Sequence, residues 1–194
     1  AALATGVAGM WSLLARQANT SARLARWLRV YVRFYVAANM IAYGAAKVIP
    51  VQFQSPTLDR LLQPFGESSP MGLLWTFMGA APAYVIFTGV CEMAGGLLLT
   101  ARRTTLLGAL ICIGVLSNVV MLNLSYDVCV ELDSLHLLGM AVFLAVPDLG
   151  RLGRMFLLNR PVESADLSPL FSRPRLERAA LAMRTLLVVA FTGW

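Results

Sequence analysis

The amino-acid sequence predicts an all-α integral membrane protein: a four-helix transmembrane bundle with an additional C-terminal span and short interfacial helices. Hydrophobic residues make up 58% of the 194-residue chain and charged residues only 13%. A soluble domain carries about 45–50% apolar and about 25% charged residues. The mean hydropathy is +0.70, and the apolar residues form runs that are separated by charged segments. This composition excludes a disordered chain and a disulfide-stapled secreted domain.

Four apolar runs are long enough to cross a bilayer as helices, for which about 20 residues are needed. The first is followed by Pro50, which cannot continue a helix. The last begins inside an acidic turn and ends at Pro147. The four predicted spans, in chain order, are 27–48, 83–100, 106–124 and a fourth between 125–134 and Pro147.

The chain is predicted to divide into four parts. They are an N-terminal apolar or interfacial segment (1–24), the four-helix membrane core (25–150), a basic cytoplasmic linker (151–178) and the start of a further transmembrane helix (179–194). The apolar run 1–15 is short for a span. It is predicted to lie in the membrane interface, with the remnant of a longer helix as the alternative. The last run is also short, so the natural chain is expected to continue past Trp194.

The segment between the first two spans is predicted to lie on the membrane surface. Residues 51–70 contain three prolines and read as a loop. Within it, apolar residues recur at helical spacing and predict a short amphipathic helix. The following stretch, 71–78, is apolar and aromatic, and it is expected to be exposed. The amphipathic residues are Leu58, Leu61, Leu62 and Phe65.

The charged residues predict the orientation in the membrane. Of the 16 basic residues 15 are arginines, and they cluster at the ends of apolar runs. With four complete spans, 14 arginines and four acidic residues fall on one side. Lys47, Arg60 and five acidic residues fall on the other. The positive-inside rule places the arginine-rich side in the cytoplasm. The basic charge thus fits a protein whose partner is the lipid bilayer, and no nucleic-acid partner is predicted.

Two charged residues lie inside the predicted spans, where ionisable groups are costly and often functional. Arg33 lies roughly 9 Å and Glu92 roughly 12 Å from the cytoplasmic end, at about 1.5 Å per helical residue. We therefore predict that Arg33 and Glu92 face each other between the first two spans. A structural ion pair and a proton-linked or ligand-binding role both remain open.

A second polar set lies in the outer half of the spans. It predicts an outward-facing polar pocket lined by the first, third and fourth spans. Asp127, Glu131 and His136 lack the tight spacing of metal ligands, so no metal site is predicted. Catalytic residues cannot be assigned, because no C-x-x-C, Walker A or G-x-G-x-x-G motif is present. The outer set is Asn39, Tyr43, Lys47, Asn118, Asn123, Tyr126, Asp127, Glu131, Asp133 and His136.

Glycines on the second and third spans predict close approach of neighbouring helices, because small residues let helix backbones meet in membranes. The cysteines Cys91, Cys112 and Cys129 are interpreted as small apolar side chains, because no pair is placed as a redox couple. The glycines concerned are Gly89, Gly95, Gly96, Gly108 and Gly114.

The membrane core carries several runs that together resemble a known family. They are YGAAKVIPVQF (43–53), GVCEMAGGLLL (89–99), RRTTLLGAL (102–110) and NVVMLNLSYDV (118–128), followed by the fourth span with His136. The most specific piece is Gly–x–x–Glu–x–x–Gly–Gly around Glu92. On these runs, residues 35–149 resemble the DoxX family of small bacterial membrane proteins, and 68–84 resembles a longer subgroup.

The resemblance implies a four-helix core in the bacterial inner membrane, with Glu92 as the characteristic residue. In the longer subgroup a final span leads to an extramembrane domain. The family is named after a subunit of a thiosulfate:quinone oxidoreductase, and some relatives are linked to redox-stress complexes. It offers no catalytic motif to carry over. Cys129 and Glu131 depart from the family pattern in the turn, which puts any transferred role for the turn in doubt.

Three functions are compatible with these observations. The first is a non-catalytic subunit of a larger respiratory or redox membrane assembly, with other membrane-protein subunits as partners. The second is a quinone- or thiosulfate-linked oxidoreductase component, with quinone as the possible cofactor and Lys47, Tyr126 or His136 as donor to its head group. The third is a small-solute or proton transporter with a relay through Arg33, Glu92 and the outer polar set, although no inverted repeat is visible.

Overall fold

The computed structural model describes residues 18–163, of which the side chains of 18–23 are not included, and all regular structure in this range is helical. Segments 1–17 and 164–194 lie outside it. These segments include most of the predicted N-terminal part, most of the linker and the whole predicted C-terminal span. The helices are α1 (Ala18–Val48), α2 (Leu58–Leu62), α3 (Pro70–Ala80), α4 (Pro82–Thr100), α5 (Thr105–Ser125), α6 (Glu131–Ala145) and α7 (Leu149–Leu152).

Short turns of tighter or wider helix join or extend these elements. They are 3₁₀ turns at Phe65–Glu67, Arg102–Thr104 and Val146–Asp148, and a π-helical turn at Gly153–Leu157. The turn Val146–Asp148 continues α6 directly, so Pro147 lies where the helix changes geometry, and the chain remains helical beyond it.

Three helical stretches are long and apolar enough to cross a membrane: Pro82–Thr100, Arg102–Ser125 and Glu131–Leu157. They contain α4, α5 and α6 and confirm the second, third and fourth predicted spans as apolar helices. The first predicted span is also helical, within α1. It is not among these three stretches, because Arg29, Arg33 and Lys47 lower its hydropathy.

The four long helices pack side by side, with α1 against α4 and α6, and α5 between α4 and α6. The apolar core lies where they meet. Its fully buried members come from all four helices, so each helix turns its face of small and apolar residues inward. They include Val36 and Met40 of α1, Leu99 of α4, Cys112 of α5 and Leu144 of α6.

Glycines set the distance between α1 and α4. A Cβ atom added to Gly44 would lie 2.5 Å from the Gly89 carbonyl oxygen, and one added to Gly96 would lie 2.9 Å from the Ala37 carbonyl oxygen. The helices therefore run antiparallel with their backbones in contact, which confirms the packing role predicted for Gly89 and Gly96. Gly95 and Gly108 are equally tight between α4 and α5, whereas a Cβ on Gly114 would meet nothing within 4 Å.

Charged side chains join α1 to the end of α6. Arg29 Nη2 donates a hydrogen bond to the Leu144 carbonyl oxygen at 3.0 Å and lies 3.6 Å from Asp148 Oδ2. Arg151 Nη1 donates to Asp148 Oδ1 at 2.7 Å. We call Arg29, Asp148 and Arg151 the end cluster. It fastens the two helices at the side of the fold where arginines are concentrated.

The segment between α1 and α4 folds back over the helices. The predicted short helix exists as α2, and its apolar residues Leu58, Leu61 and Leu62 are exposed. The expectation that 71–78 is exposed is wrong for one face of α3, because Leu74 and Met78 are buried. They are buried because the chain returns over them.

This return is held by tight backbone packing. A Cβ on Gly79 would collide with the Gln54 carbonyl oxygen, so α3 lies directly against the extended stretch that follows α1. The Phe53 and Trp75 rings pack with their centroids 5.2 Å apart. Ser69 caps the start of α3 by accepting a hydrogen bond from the Gly72 amide at 3.1 Å. The result is a small second apolar cluster around Phe53, Leu74, Met78, Val85 and Val128.

Candidate functional site

A buried ion pair links α1 and α4. Lys47 Nζ donates a hydrogen bond to Glu92 Oε1. Only 7% of Lys47 and 3% of Glu92 is exposed. A Cβ atom added to Gly89 would lie 2.9 Å from Lys47 Cβ, so the Lys47 side chain leaves α1 directly against α4, within one turn of Glu92. The close glycine packing therefore brings the two charged side chains together. A buried charge is tolerated when it is paired in this way and is very unfavourable alone.

The predicted pairing of Arg33 with Glu92 is wrong. Arg33 precedes Lys47 by 14 residues on α1, which is about 21 Å along the helix. The contact of Gly96 with Ala37 fixes the register, so Arg33 lies level with Thr100 at the end of α4. Counting depth from the sequence failed because α1 begins at Ala18 and extends well beyond the end of α4. A relay from Arg33 to Glu92 has no support in this geometry.

Arg33 is nevertheless buried, with 8% of the residue exposed. Its guanidinium carbon lies 4.8 Å from the centroid of the Phe34 ring, a favourable arrangement for a cation over an aromatic face. Arg33 therefore belongs to the packing near the arginine-rich end, away from the Lys47–Glu92 pair.

A cavity of about 260 Å³ lies beside the ion pair. Its walls are mostly apolar and come from α1, the turn after α1, α3, α4, α5, the turn between α5 and α6, and the start of α6. Phe53, Trp75 and Leu137 are among the apolar lining residues. The polar residues on the wall are Tyr43, Lys47, Gln52, Glu92, Asn123, Asp133 and Ser134.

The predicted outer pocket is therefore present in part. Tyr43, Lys47, Asn123 and Asp133 of the predicted set do line one cavity. The lining differs from the prediction because α3 and α4 also contribute, and because most of the wall is apolar. Glu92, which was predicted to belong to a separate pair deeper in the membrane, lies in the same wall.

The other members of the predicted outer set lie elsewhere. Asn39 Nδ2 donates to the Tyr35 carbonyl oxygen of its own helix at 2.9 Å. Asn118 is exposed on α5. His136 is also exposed, with Nδ1 2.6 Å from the Leu132 carbonyl oxygen. Tyr126 is half-buried against the second apolar cluster. None of these four residues lines the cavity.

The turn between α5 and α6 positions the cavity residues of those helices. Asn123 Nδ2 donates to Ser134 Oγ at 3.1 Å, and Ser134 Oγ donates to the Glu131 carbonyl oxygen at 2.8 Å. Asp127 has a φ of 52°, a left-handed conformation that aspartate adopts more readily than most residues. Asp127 and Glu131 therefore act in the turn. Within 18–163, no three His, Cys, Asp or Glu side chains are grouped to hold a metal ion.

Gln52 is a site residue that the sequence reasoning missed. After Pro50 the chain reverses, and the backbone N–H of Gln52 donates a hydrogen bond to the Ala46 carbonyl oxygen at 3.0 Å. This brings the Gln52 side chain next to Lys47 at the cavity wall. The only signal in the sequence is a polar residue directly after a proline that ends a helix, which is too common to identify a site.

Two buried oxygen atoms of cavity residues have no hydrogen-bond donor among the described residues. They are Glu92 Oε2 and Gln52 Oε1. Buried polar groups are nearly always hydrogen-bonded, so such exceptions require an explanation. Both atoms are hydrogen-bond acceptors.

The fold and site define an all-helical protein with three helices able to cross a membrane, hence in contact with lipid, and with a small, mostly apolar cavity beside a buried lysine–glutamate pair. No family model matches the chain, and no solved structure matches it. The chain is 30% identical over 153 residues to the uncharacterized protein YwoB of Bacillus subtilis (strain 168), covering 77% of this chain and 97% of YwoB. The chain belongs to the same family as YwoB.

Proposed function

We propose that this protein binds a membrane-soluble, quinone-like molecule in the cavity and contributes that site to a larger redox or respiratory membrane assembly. The observation that carries the proposal is one apolar cavity with a single buried ion pair in its wall. Ligand sites are typically apolar with a few convergent polar groups. A cavity of about 260 Å³ suits one substituted ring, and the ring's apolar tail would leave between helices.

Lys47 is the residue best placed to orient the head group of such a ligand. Its ammonium has three donors, of which one is committed to Glu92. Tyr126 and His136, the other donors considered from the sequence, do not line the cavity. The chain's own part in this function is binding and orientation. A partner subunit would carry out any electron transfer.

We further infer that α1, α4, α5 and α6 form a four-helix transmembrane bundle of the DoxX type in the bacterial inner membrane. α1 has 31 residues, about 46 Å of helix, which exceeds the roughly 30 Å hydrocarbon core. Its Lys47 faces Glu92 rather than lipid. The end cluster and the basic turn Arg102–Thr104 lie on one side, which supports a cytoplasmic position for that side.

Ligand occupancy tests the binding proposal. The protein is purified in mild detergent, and organic extracts are analysed for quinones by mass spectrometry. We compare the wild type with Leu74→Trp, which fills the cavity, and with Phe77→Trp, which enlarges an exposed residue of the same helix. The wild type and Phe77→Trp should carry quinone, and Leu74→Trp should lose it. An extract without quinone, or equal quinone in all three, contradicts the proposal.

The assembly part of the proposal is favoured by an exposed stripe on α1. Its members recur at helical spacing on one side of the helix, and Tyr31 and Tyr35 stack with ring centroids 6.0 Å apart. We propose that this stripe contacts a helix of a partner subunit. Its members, between 42% and 64% exposed, are Leu24, Leu28, Tyr31 and Tyr35.

Site-specific photocrosslinking in native membranes tests this partner surface. A photoreactive amino acid is placed at Tyr31 and, as a matched control, at Leu107, which is exposed on α5. We expect one reproducible protein adduct from position 31 and none from position 107, with the partner identified by mass spectrometry. Lipid adducts alone at both positions would remove the assembly proposal and leave the ligand proposal standing.

A further inference from the structure

We propose that a polar depression beside the cavity binds the phosphate of an anionic membrane lipid. The depression has a volume of about 510 Å³ and is formed by residues 51–57, by Arg60 of α2, by Ser69 and by the first half of α3. The inference does not depend on what the cavity binds. It rests on the proposed membrane position of the helical bundle, which places the depression at a membrane surface.

Arg60 supplies the positive charge of the depression. Of the two basic residues predicted on this side of the membrane, Lys47 is paired with Glu92. Arg60 forms no ion pair within 18–163, and its Nη1 donates a hydrogen bond to the neutral Gln63 Oε1 at 2.9 Å. Most of its N–H groups are therefore available to a ligand. A guanidinium suits phosphate, because its planar fork can donate to two phosphate oxygens at once.

Hydroxyl groups surround the Arg60 guanidinium. A Cβ atom added to Gly72 would lie 3.1 Å from Arg60 Nη1, 3.4 Å from Arg60 Nη2 and 3.0 Å from Ser69 Oγ. The guanidinium therefore lies over the first turn of α3, close to Ser69. Ser55, Thr57 and Ser69 line the depression, and within the described part of the chain none of their hydroxyl groups donates a hydrogen bond. The depression thus offers several donors to a ligand that accepts hydrogen bonds.

The charge of the lining predicts which lipid is preferred. Among the described residues, Arg60 is the only charged residue that lines the depression, and no aspartate or glutamate does so. Phosphatidylethanolamine and phosphatidylcholine carry a cationic group beside the phosphate, and here that cation would find no carboxylate. Phosphatidylglycerol carries a neutral glycerol in its place. We therefore expect phosphatidylglycerol to bind more tightly than either of the others.

The exposed side of α2 supports a position at the membrane surface. Leu58, Leu61 and Leu62 are between 62% and 74% exposed, and none of them lines the depression. The short helix therefore presents leucines on one side and Arg60 on the other. Such a distribution is typical of segments that lie in the membrane interface, with apolar side chains among the acyl chains and charged ones at the head groups.

The length of α1 gives the depth of the depression. Arg29 of the end cluster and Val48 at the end of α1 are 19 positions apart. This is about 28 Å of helix, close to the roughly 30 Å hydrocarbon core. With the end cluster at one membrane surface, the residues that follow Val48 lie at the head groups of the other. A phospholipid of that leaflet therefore has its phosphate at the level of Arg60.

Photoreactive lipids test the proposal. Purified full-length protein is reconstituted in phosphatidylcholine vesicles with a small fraction of a photoreactive phosphatidylglycerol, phosphatidylethanolamine or phosphatidylcholine. Each carries a diazirine at the same position near the head-group end of one acyl chain, and adducts are mapped by peptide mass spectrometry. We expect phosphatidylglycerol to label 51–57 and 69–76 at least about fivefold more than the other two lipids, the effect of about one basic residue at a membrane surface. Equal labelling by all three would overturn the inference.

Leu124 reports separately on the membrane position. It is exposed at the end of α5 on the same side of the fold, so all three lipids should label it equally. If no lipid labels Leu124, the proposed membrane position fails. If Leu124 is labelled but the depression is not, the lipid site alone fails.

Variants and a competitor identify the group that binds and the source of the phosphate. Arg60→Gln should lower the phosphatidylglycerol adducts of the depression to the phosphatidylcholine level, and Arg60→Lys should retain part of the difference. Arg103→Gln, an exposed arginine outside the depression, should leave these adducts unchanged. Unchanged adducts in Arg60→Gln would overturn the inference. Excess inorganic phosphate should not displace them beyond the effect of sodium chloride at equal ionic strength. Full displacement would assign the site to a soluble phosphate and overturn the lipid assignment.

Discussion

Two ion-pair sites that join α1 to another helix among the described residues differ sharply. The Lys47–Glu92 pair joins α1 to α4 in the interior, with 9% and 3% of the side chains exposed. The end cluster joins α1 to the end of α6, where the side chains of Arg29, Asp148 and Arg151 are 38%, 21% and 36% exposed. The same chemistry thus occurs once in the dry interior and once at the edge of the fold.

The difference shows that partner number and burial together decide what an ion pair does. Asp148 contacts two arginines, so the loss of one leaves the other, and solvent weakens all of these interactions. Glu92 has one cationic partner, Lys47, among the described residues. Removing either member leaves a buried charge without compensation. We therefore expect the loss of the interior pair to lower the free energy of unfolding far more than a change in the end cluster.

The largest expected effect comes from breaking the interior pair. Glu92→Ala should lower the free energy of unfolding by about 3–5 kcal/mol, because it leaves the buried Lys47 ammonium unpaired. Denaturant unfolding in mixed micelles, followed by circular dichroism, measures this. The double variant Lys47→Met/Glu92→Met removes both charges and should recover most of the loss. If the double variant is as unstable as Glu92→Ala, the unpaired charge is not the cause.

A smaller effect is expected from moving the two helices apart. Gly44→Ala places a Cβ 2.5 Å from the Gly89 carbonyl oxygen and 2.6 Å from Met93 Cγ. Because a backbone atom cannot move aside easily, we expect a loss of about 1–3 kcal/mol in the same unfolding assay. Gly139→Ala is the matched control, since its Cβ would meet nothing within 4 Å. Equal stability of the two variants would argue against direct contact of α1 with α4.

The smallest effect is expected at the end cluster. Asp148→Asn should change the free energy of unfolding by less than about 1 kcal/mol, because exposed ion pairs contribute little. Its effect should also shrink as salt is raised, whereas that of Glu92→Ala should not, because salt screens exposed charges more than buried ones. A loss at Asp148 as large as that at Glu92 would erase the contrast between the two regions.

Much of the fold is predictable from the sequence because it follows local patterns. The apolar runs that form α4, α5 and α6, the helix end before Pro50 and the short helix at Leu58–Leu62 can all be read from composition and spacing. The tight packing of α1 on α4 also follows, because glycines such as Gly89 and Gly96 have no other use on an apolar helix. The fold-back of α3 does not follow, since it depends on where Gly79 meets Gln54.

The candidate site is less predictable because it depends on helix register. Glu92 and Lys47 can be chosen from the sequence as charges in apolar surroundings, but their pairing cannot. Similar estimated depths in the membrane predicted Arg33 as the partner of Glu92. The glycine contacts instead set the position of α1 along α4, so that Lys47 pairs with Glu92. The rotation of each helix decided the rest. It placed Asn123 in the cavity wall and turned His136 outward.

The separation of Lys47 and Glu92 along the chain also affects how the protein is made. The two residues are 45 positions apart, and ribosomes add about 5–20 residues per second. For roughly 2–9 s after Lys47 is synthesised, its counter-charge does not yet exist. In a bilayer α1 would then carry an uncompensated charge, so its final placement waits for α4 to emerge. In the proposed four-helix bundle, the insertion of α1 would therefore be completed only after α4 has been synthesised.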